Sequence, residues 1–181
     1  MTSQFPDTPN FQGYNEPVRV EAEIYDLVVI GDLPRDINGT WCRMTPDPQF
    51  PPFLGDDFFI AGDGMMSKFV FEEGHVGFKC RYVQTERMLA ERKARRRLFG
   101  AYRNPYTDLA EVSSTDRTTA NTTPIWHAGR LLACKEDGRP YELDLETLDT
   151  IGVFDWNGRL RSKTISAHCK VDLATGELMF F

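Results

Sequence analysis

Pro124-Ile125-Trp126-His127-Ala128-Gly129-Arg130-Leu131-Leu132-Ala133-Cys134 is the stretch that decides the fold class. Two short apolar runs flank a glycine-containing turn, the signature of a β-hairpin. The theme repeats downstream. Asp137-Gly138-Arg139-Pro140 turns into Tyr141-Glu142-Leu143. Asn157-Gly158 joins Val153–Trp156 to a following strand. Ala174-Thr175-Gly176 joins a strand over Ile165–Val171 to one over Leu178–Phe181. Upstream, Lys68-Phe69-Val70-Phe71, the turn Glu72-Glu73-Gly74 and the run from Val76 to Val83 form another hairpin. Thr40–Met44 is a candidate strand after a turn region from Asp32 to Gly39. Val18 to Ile24 alternates apolar and polar residues as a half-buried strand does, opening a β-like stretch that continues to Ile30. Short strands around regular turns predict an all-β chain, a propeller or a sandwich.

One segment breaks the pattern. Met88 to Phe99 has the Ala, Glu, Lys, Arg and Leu content of a helix, stopped by Gly100. The basic run within it, Arg92 to Arg97, reads either as a solvated helix face flanked by Glu86 and Glu91 or as a patch for anionic partners. Residues 1–17, with Pro6, Pro9, Gly13 and Pro17, read as an extended arm. The last run, Glu177 to Phe181, stops inside an apolar strand, which leaves an unpaired edge. Residues 1–181 are therefore expected to be the N-terminal part of a longer single domain.

The 181 residues, 41% hydrophobic and 27% charged, suit an ordinary globular class. Thirteen Phe, six Tyr and three Trp favour strands. A net charge of −6 argues against a nucleic-acid surface, which needs clustered Lys and Arg. No stretch reaches the roughly 20 apolar residues of a transmembrane helix. Cys42, Cys80, Cys134 and Cys169 are widely spaced, and Met1-Thr2-Ser3-Gln4 opens no signal peptide, so the expectation is reduced thiols in a cytoplasmic protein.

Chemistry based on histidine must draw on His75, His127 and His168, the three in the chain. The first two sit at turns and read as structural. His168 lies in the expected strand Thr164 to Val171, where it can be a core residue or a metal ligand. One ligand does not define a metal. Cys169, on the opposite face of such a strand, reads as packing. Gly62-Asp63-Gly64 is too short for a phosphate loop or a dinucleotide fingerprint.

Six motifs occur in order: Gln49-Phe50-Pro51-Pro52, Gly62-Asp63-Gly64-Met65, Leu98-Phe99-Gly100-Ala101-Tyr102-Arg103-Asn104-Pro105, Thr119-Ala120-Asn121-Thr122, Lys135-Glu136-Asp137-Gly138 and Ala167-His168-Cys169-Lys170-Val171-Asp172. In this register the chain resembles the N-terminal part of the carotenoid cleavage oxygenase superfamily, within it the lignostilbene and resveratrol-cleaving oxygenases. The resemblance implies a seven-bladed β-propeller with a short helical insertion and Fe(II) held on its axis by four histidines. His168 matches the first of these ligands, and the other three would lie beyond Phe181. His75 and His127 match positions that are not ligands.

The resemblance also implies that Glu136 is a carboxylate supporting a ligand histidine from a later blade. Thr122 matches a threonine near the open metal position, and Ile60 stands where that branch often has an aromatic lining the cleft. Tyr102 and Lys135 match the pair that hydrogen-bonds the para-hydroxyl of a stilbene. Phenol and lysine titrate ordinarily near about 10 and 10.4, so a desolvated pair can share a proton and favour the phenolate. Electron density pushed into the conjugated alkene would ease attack by O2.

The implied activity is Fe(II)-dependent cleavage of the interphenyl double bond of a 4-hydroxystilbene, a small phenolic alkene, by O2 into two aromatic aldehydes. Two rivals remain open: cleavage of a carotenoid or apocarotenoid, and a non-catalytic propeller that binds without turnover. Ile60 and Cys169, which replaces the proline common after the first ligand, are departures from the pattern.

Overall fold

Both hairpins that anchor the reading close through two residues in the left-handed region. Glu73 and Gly74 have φ of 51° and 89°, and Ala128 and Gly129 have 48° and 76°. Positive φ at both central positions is what the tight, twist-matched hairpin turn requires. The computed structural model describes residues 4–181; the first three residues of the expected arm lie outside the described residues.

The strands are β1 (Ala22–Ile24), β2 (Gly39–Pro46), β3 (Gly64–Glu72), β4 (His75–Tyr82), β5 (Thr123–His127), β6 (Arg130–Cys134), β7 (Tyr141–Leu143), β8 (Thr150–Val153), β9 (Lys170–Val171) and β10 (Leu178–Met179), with one α-helix, α1 (Glu86–Ala94), between β4 and β5. They form two four-stranded antiparallel sheets, ordered β1-β4-β3-β2 and β5-β6-β7-β8, and the two-stranded ribbon β9-β10. The fold is all-β, built from propeller blades.

The two sheets share a core, and β6 shows how. Its residues alternate: Leu131 and Ala133 pack with Met44, Met66, Tyr141 and Leu143 between the first and second sheets. Leu132 and Cys134 face the other way, onto Ile125, Ile165 and Ala167. A strand covered on both faces reads as a continuous apolar run, which is what Leu131 to Cys134 is. Full burial of each such leucine stabilises by about 1.5–3 kcal/mol.

Several expectations need correction. The strand expected from Val18 shrinks to Ala22–Ile24, because Arg19 turns at φ 57° and Val18 and Val20 are exposed. The helix begins and ends earlier than Met88–Phe99. Thr85 caps it, accepting from Met88 N, and Arg95 ends it in the left-handed region rather than Gly100. That early stop turns the end of the basic run inward. Lys93 and Arg95 remain exposed, but Arg97 is buried and ion-paired. No strand follows Asn157-Gly158; the chain stays irregular until Lys170. The arm is not simply extended, since 3-10 turns form at Pro9–Phe11 and Gly13–Asn15 and Phe11 is buried.

Gly62-Asp63-Gly64 is a packing motif. A Cβ on Gly64 would stand 2.6 Å from the carbonyl oxygens of Thr119 and Ala120, and Gly64 N donates to Thr119 O at 3.0 Å. Asn121 Nδ2 donates to Ile60 O at 2.8 Å and to Gly62 O at 2.7 Å. The Thr119–Thr122 motif is thereby docked against the Ile60–Gly64 motif, which sets up the site.

Candidate functional site

Tyr102 lies in a loop held by charge rather than by regular structure. Glu91 Oε1, on α1, accepts the amides of Leu98 and Phe99 at 2.9 and 3.1 Å. Arg97 donates from Nε to Phe99 O at 2.9 Å and from Nη2 to Asp57 Oδ2 at 3.1 Å. Asp57 Oδ1 accepts the Tyr102 amide at 2.9 Å. Gly100 packs so tightly that a Cβ there would lie 2.2 Å from Thr107 Oγ1.

Lys135 follows β6 directly and is 5% exposed. Its Nζ donates to Thr119 Oγ1 at 2.8 Å, lies 3.5 Å from Asp137 Oδ2 and stands 5.3 Å from the centroid of the Tyr102 ring. This is cation–π range. Burial pulls the Lys135 ammonium below the ordinary lysine range, opposed by the Asp137 carboxylate. Phe58 meets the Tyr102 ring edge-on at 5.8 Å, and the Arg103 guanidinium lies 5.4 Å from the same ring.

The next residue, Glu136, reaches the second cluster. Its Oε1 lies 3.4 Å from His168 Nε2, with the imidazole side chain 70% exposed. His168 is not in a strand, as expected, but in a bend just before β9. Ala167 beside it is buried, and the Cys169 thiol donates to Ser166 O at 3.0 Å. Cys169 packs beside Cys134, whose own thiol is pushed up to about 12 by burial. Both are unreactive packing groups on that account.

The sequence-derived residues fall into two linked pairs, Tyr102 with Lys135 and Glu136 with His168, on adjacent residues 135 and 136. Thr122 N donates to Cys134 O at 3.0 Å, so Thr122 sits opposite the end of β6; Ile60, half-buried, is tied to neighbouring Asn121. The other histidines stand apart. His75 Nδ1 lies 3.2 Å from Asp26, and His127 Nε2 is 2.9 Å from Gly176 O. Clefts of about 570 and 450 Å³ occur elsewhere on the chain, and neither is lined by Tyr102, Lys135 or His168. Sequence reasoning missed Asp57, Thr119 and Asp137 as parts of the site. The sequence carries no local signal for Asp57, whose burial depends on Arg97, 40 residues away.

Among the described residues no group of three or more His, Cys, Asp or Glu could hold a metal. An exposed imidazole with a carboxylate at one ring nitrogen has the chemistry of a single ligand in a larger set. His168 and Glu136 therefore fit one corner of an iron site.

Antiparallel blades of this architecture, with a buried lysine against a tyrosine face, place the chain among the propeller proteins of the oxygenase type. The family profile described as RPE65, retinal pigment epithelial membrane protein, matches residues 15–181, and the chain belongs to this family, the carotenoid cleavage oxygenases that its motifs resemble. It is 54% identical over 173 residues to isoeugenol monooxygenase of Pseudomonas nitroreducens, covering 96% of this chain and 36% of that protein. It is 45% identical over 181 residues to resveratrol cleavage oxygenase 1 of Aspergillus fumigatus, covering 100% and 36%. The crystal structure of Pseudomonas brassicacearum lignostilbene dioxygenase matches with a TM-score of 0.95 at 48% identity, over 99% of this chain and 37% of that one. The chain thus spans about 36% of the length of these curated relatives.

Proposed function

We propose that residues 1–181 are the N-terminal part of one oxygenase propeller domain that uses Fe(II) and O2 to cleave the interphenyl double bond of a 4-hydroxystilbene into two aromatic aldehydes. The observation that carries this reading is the buried Lys135 ammonium over the Tyr102 ring. Fe(II), when bound, supplies the means to activate O2. The remaining roles belong to this chain. His168 offers one imidazole ligand, and Glu136, 3.4 Å from that ring's Nε2, is the carboxylate that supports a ligand histidine of a later blade. Thr122 borders the oxygen side, and Ile60 lines the substrate cleft.

Lys135 and Tyr102 act on the phenol. The buried Lys135 ammonium would place a positive charge beside a bound para-hydroxyl, and in a desolvated pocket that charge favours the phenolate. The phenolate feeds electron density into the conjugated alkene. Tyr102 presents a hydroxyl for the same oxygen. Thr119 and Asp137 keep Nζ in place.

A second reading is favoured by the relative named isoeugenol monooxygenase. Isoeugenol is also an alkene conjugated to a para-phenol, so the same grip would serve a propenyl in place of a second ring. The four free cysteines suit a reducing cytoplasmic compartment. No helix among the described residues is long and apolar enough to cross a membrane.

The test is turnover by the intact iron-loaded protein of a 4-hydroxystilbene, isoeugenol and a carotenoid, with aldehydes identified by mass spectrometry. Two aromatic aldehydes from the stilbene are expected. Turnover of isoeugenol alone would move the assignment to the second reading, and turnover of the polyene alone would overturn both.

A further inference from the structure

Asp57 sits at the junction of two aromatic residues and a buried cation. Its Oδ1 accepts the amides of both Phe58 and Tyr102, each at 2.9 Å, and the two rings then meet edge-to-face at 5.8 Å. Its Oδ2 takes Arg97 Nη2 at 3.1 Å, with the Arg97 and Asp57 side chains 3% and 6% exposed. Arg97 in turn holds Phe99 O and lies 3.4 Å from Glu91 Oε1, which carries the Leu98 and Phe99 amides. Glu91 and Arg97 thus fasten the start of the loop, Asp57 fastens its far end, and Tyr102 cannot shift without breaking charged hydrogen bonds in a dry environment. Such bonds are roughly twice as strong as neutral ones. The neighbouring Asp56 is exposed and accepts from Thr8 and Asn10, so it does a different job.

We propose that the buried Asp57–Arg97 pair is the positioning device for phenol recognition: Asp57 sets the Tyr102 ring against Lys135 and fixes the Phe58 edge beside it. The inference rests on the proposed phenol grip, but the placement of the ring does not depend on which substrate is turned over. Asp57 touches no reacting atom; it acts through Tyr102.

Two measurements on the intact protein test it. The first needs no substrate: lysine side chains carrying carbon-13 at Cε, with zinc in place of iron, report the Tyr102 ring current on Lys135 by NMR. Tyr102→Leu is expected to abolish that upfield shift, and Asp57→Ala to reduce it similarly. Asp57→Asn, which keeps the Oδ1 acceptor, is expected to restore most of it. The second measures kcat/KM for a 4-hydroxystilbene with iron bound. Misplacing Tyr102 is expected to cost Asp57→Ala about 10- to 100-fold at unchanged iron content. Adding Tyr102→Phe to that variant is expected to cost little more, since the two changes remove one interaction.

A ring-current shift untouched by Asp57→Ala overturns the proposal. So do kinetic losses that simply multiply in the double variant. If Asp57→Ala does not fold, Asp57→Asn decides: loss of the Lys135 shift in that variant, despite its acceptor, counts against Oδ1 as the positioning atom. Failure of the wild type to cleave hydroxystilbenes, with the NMR pattern as expected, would sink the substrate reading and leave the positioning role standing.

Discussion

The loop that carries Tyr102 and the bend that carries His168 are both irregular, yet they are held in opposite ways. The first is fixed from within: the side chains of Asp57, Glu91 and Arg97 are buried, and each directs its charge to loop backbone groups or to one another. The second is open. The His168 side chain is 70% exposed, its carboxylate partner Glu136 is 38% exposed, and the nearest regular structure is a ribbon of two residue pairs. This chain therefore fixes the Tyr102–Lys135 pair by its own packing, whereas it leaves the His168–Glu136 pair open to solvent.

The largest expected effect breaks the fixed half. Arg97→Ala strips Asp57 and Glu91 of a buried partner, and leaving a buried charge uncompensated costs about 3–5 kcal/mol. Urea unfolding of the intact protein measures it; a loss under about 1 kcal/mol would mean that water reaches the cluster. The open half should answer differently. His168→Ala is expected to weaken iron binding by at least the about 10- to 100-fold seen on losing a mere supporting residue, with little change in unfolding free energy. Metal analysis against unfolding separates the two, and an unchanged iron content would remove His168 from the ligand set. Smallest of all, Thr164→Ala in the exposed approach to the bend is expected to change stability by no more than about 0.5 kcal/mol. A larger loss would show that the bend is as tightly held as the loop.

The same contrast explains what the sequence revealed. Hairpins at Glu73-Gly74 and Ala128-Gly129 were legible because turn chemistry and alternation are local. The Leu131–Cys134 run announced a strand buried on both faces. The pairing of Tyr102 with Lys135 was legible only through motif resemblance, and the structure brings the two together. Asp57 was hidden: nothing in Asp56-Asp57 says which carboxylate is buried, since that depends on an arginine 40 residues away. Arg97 was misjudged as solvated for the same reason, its fate being set by the left-handed Arg95 that ends the helix. His168 looked like a strand residue because Thr164 to Val171 is rich in small and β-branched residues. In the structure Ile165 and Ala167 pack onto Ile125, Leu132 and Cys134, and regular pairing begins only at Lys170.

The lowered Lys135 value gives the grip a pH signature. As pH rises through that value the ammonium is lost, so kcat/KM for a hydroxystilbene should fall along a basic limb that begins below the ordinary lysine range. Folding stability should rise across the interval between the lowered and ordinary values, because the unfolded chain binds more protons there. Lys135→Met in the intact iron-loaded protein tests the central claim most directly, with iron content and the pH profile of hydroxystilbene cleavage measured on the same sample. The account predicts unchanged iron, a loss of about 100-fold in kcat/KM and disappearance of the basic limb. Unimpaired turnover with the limb intact would contradict it.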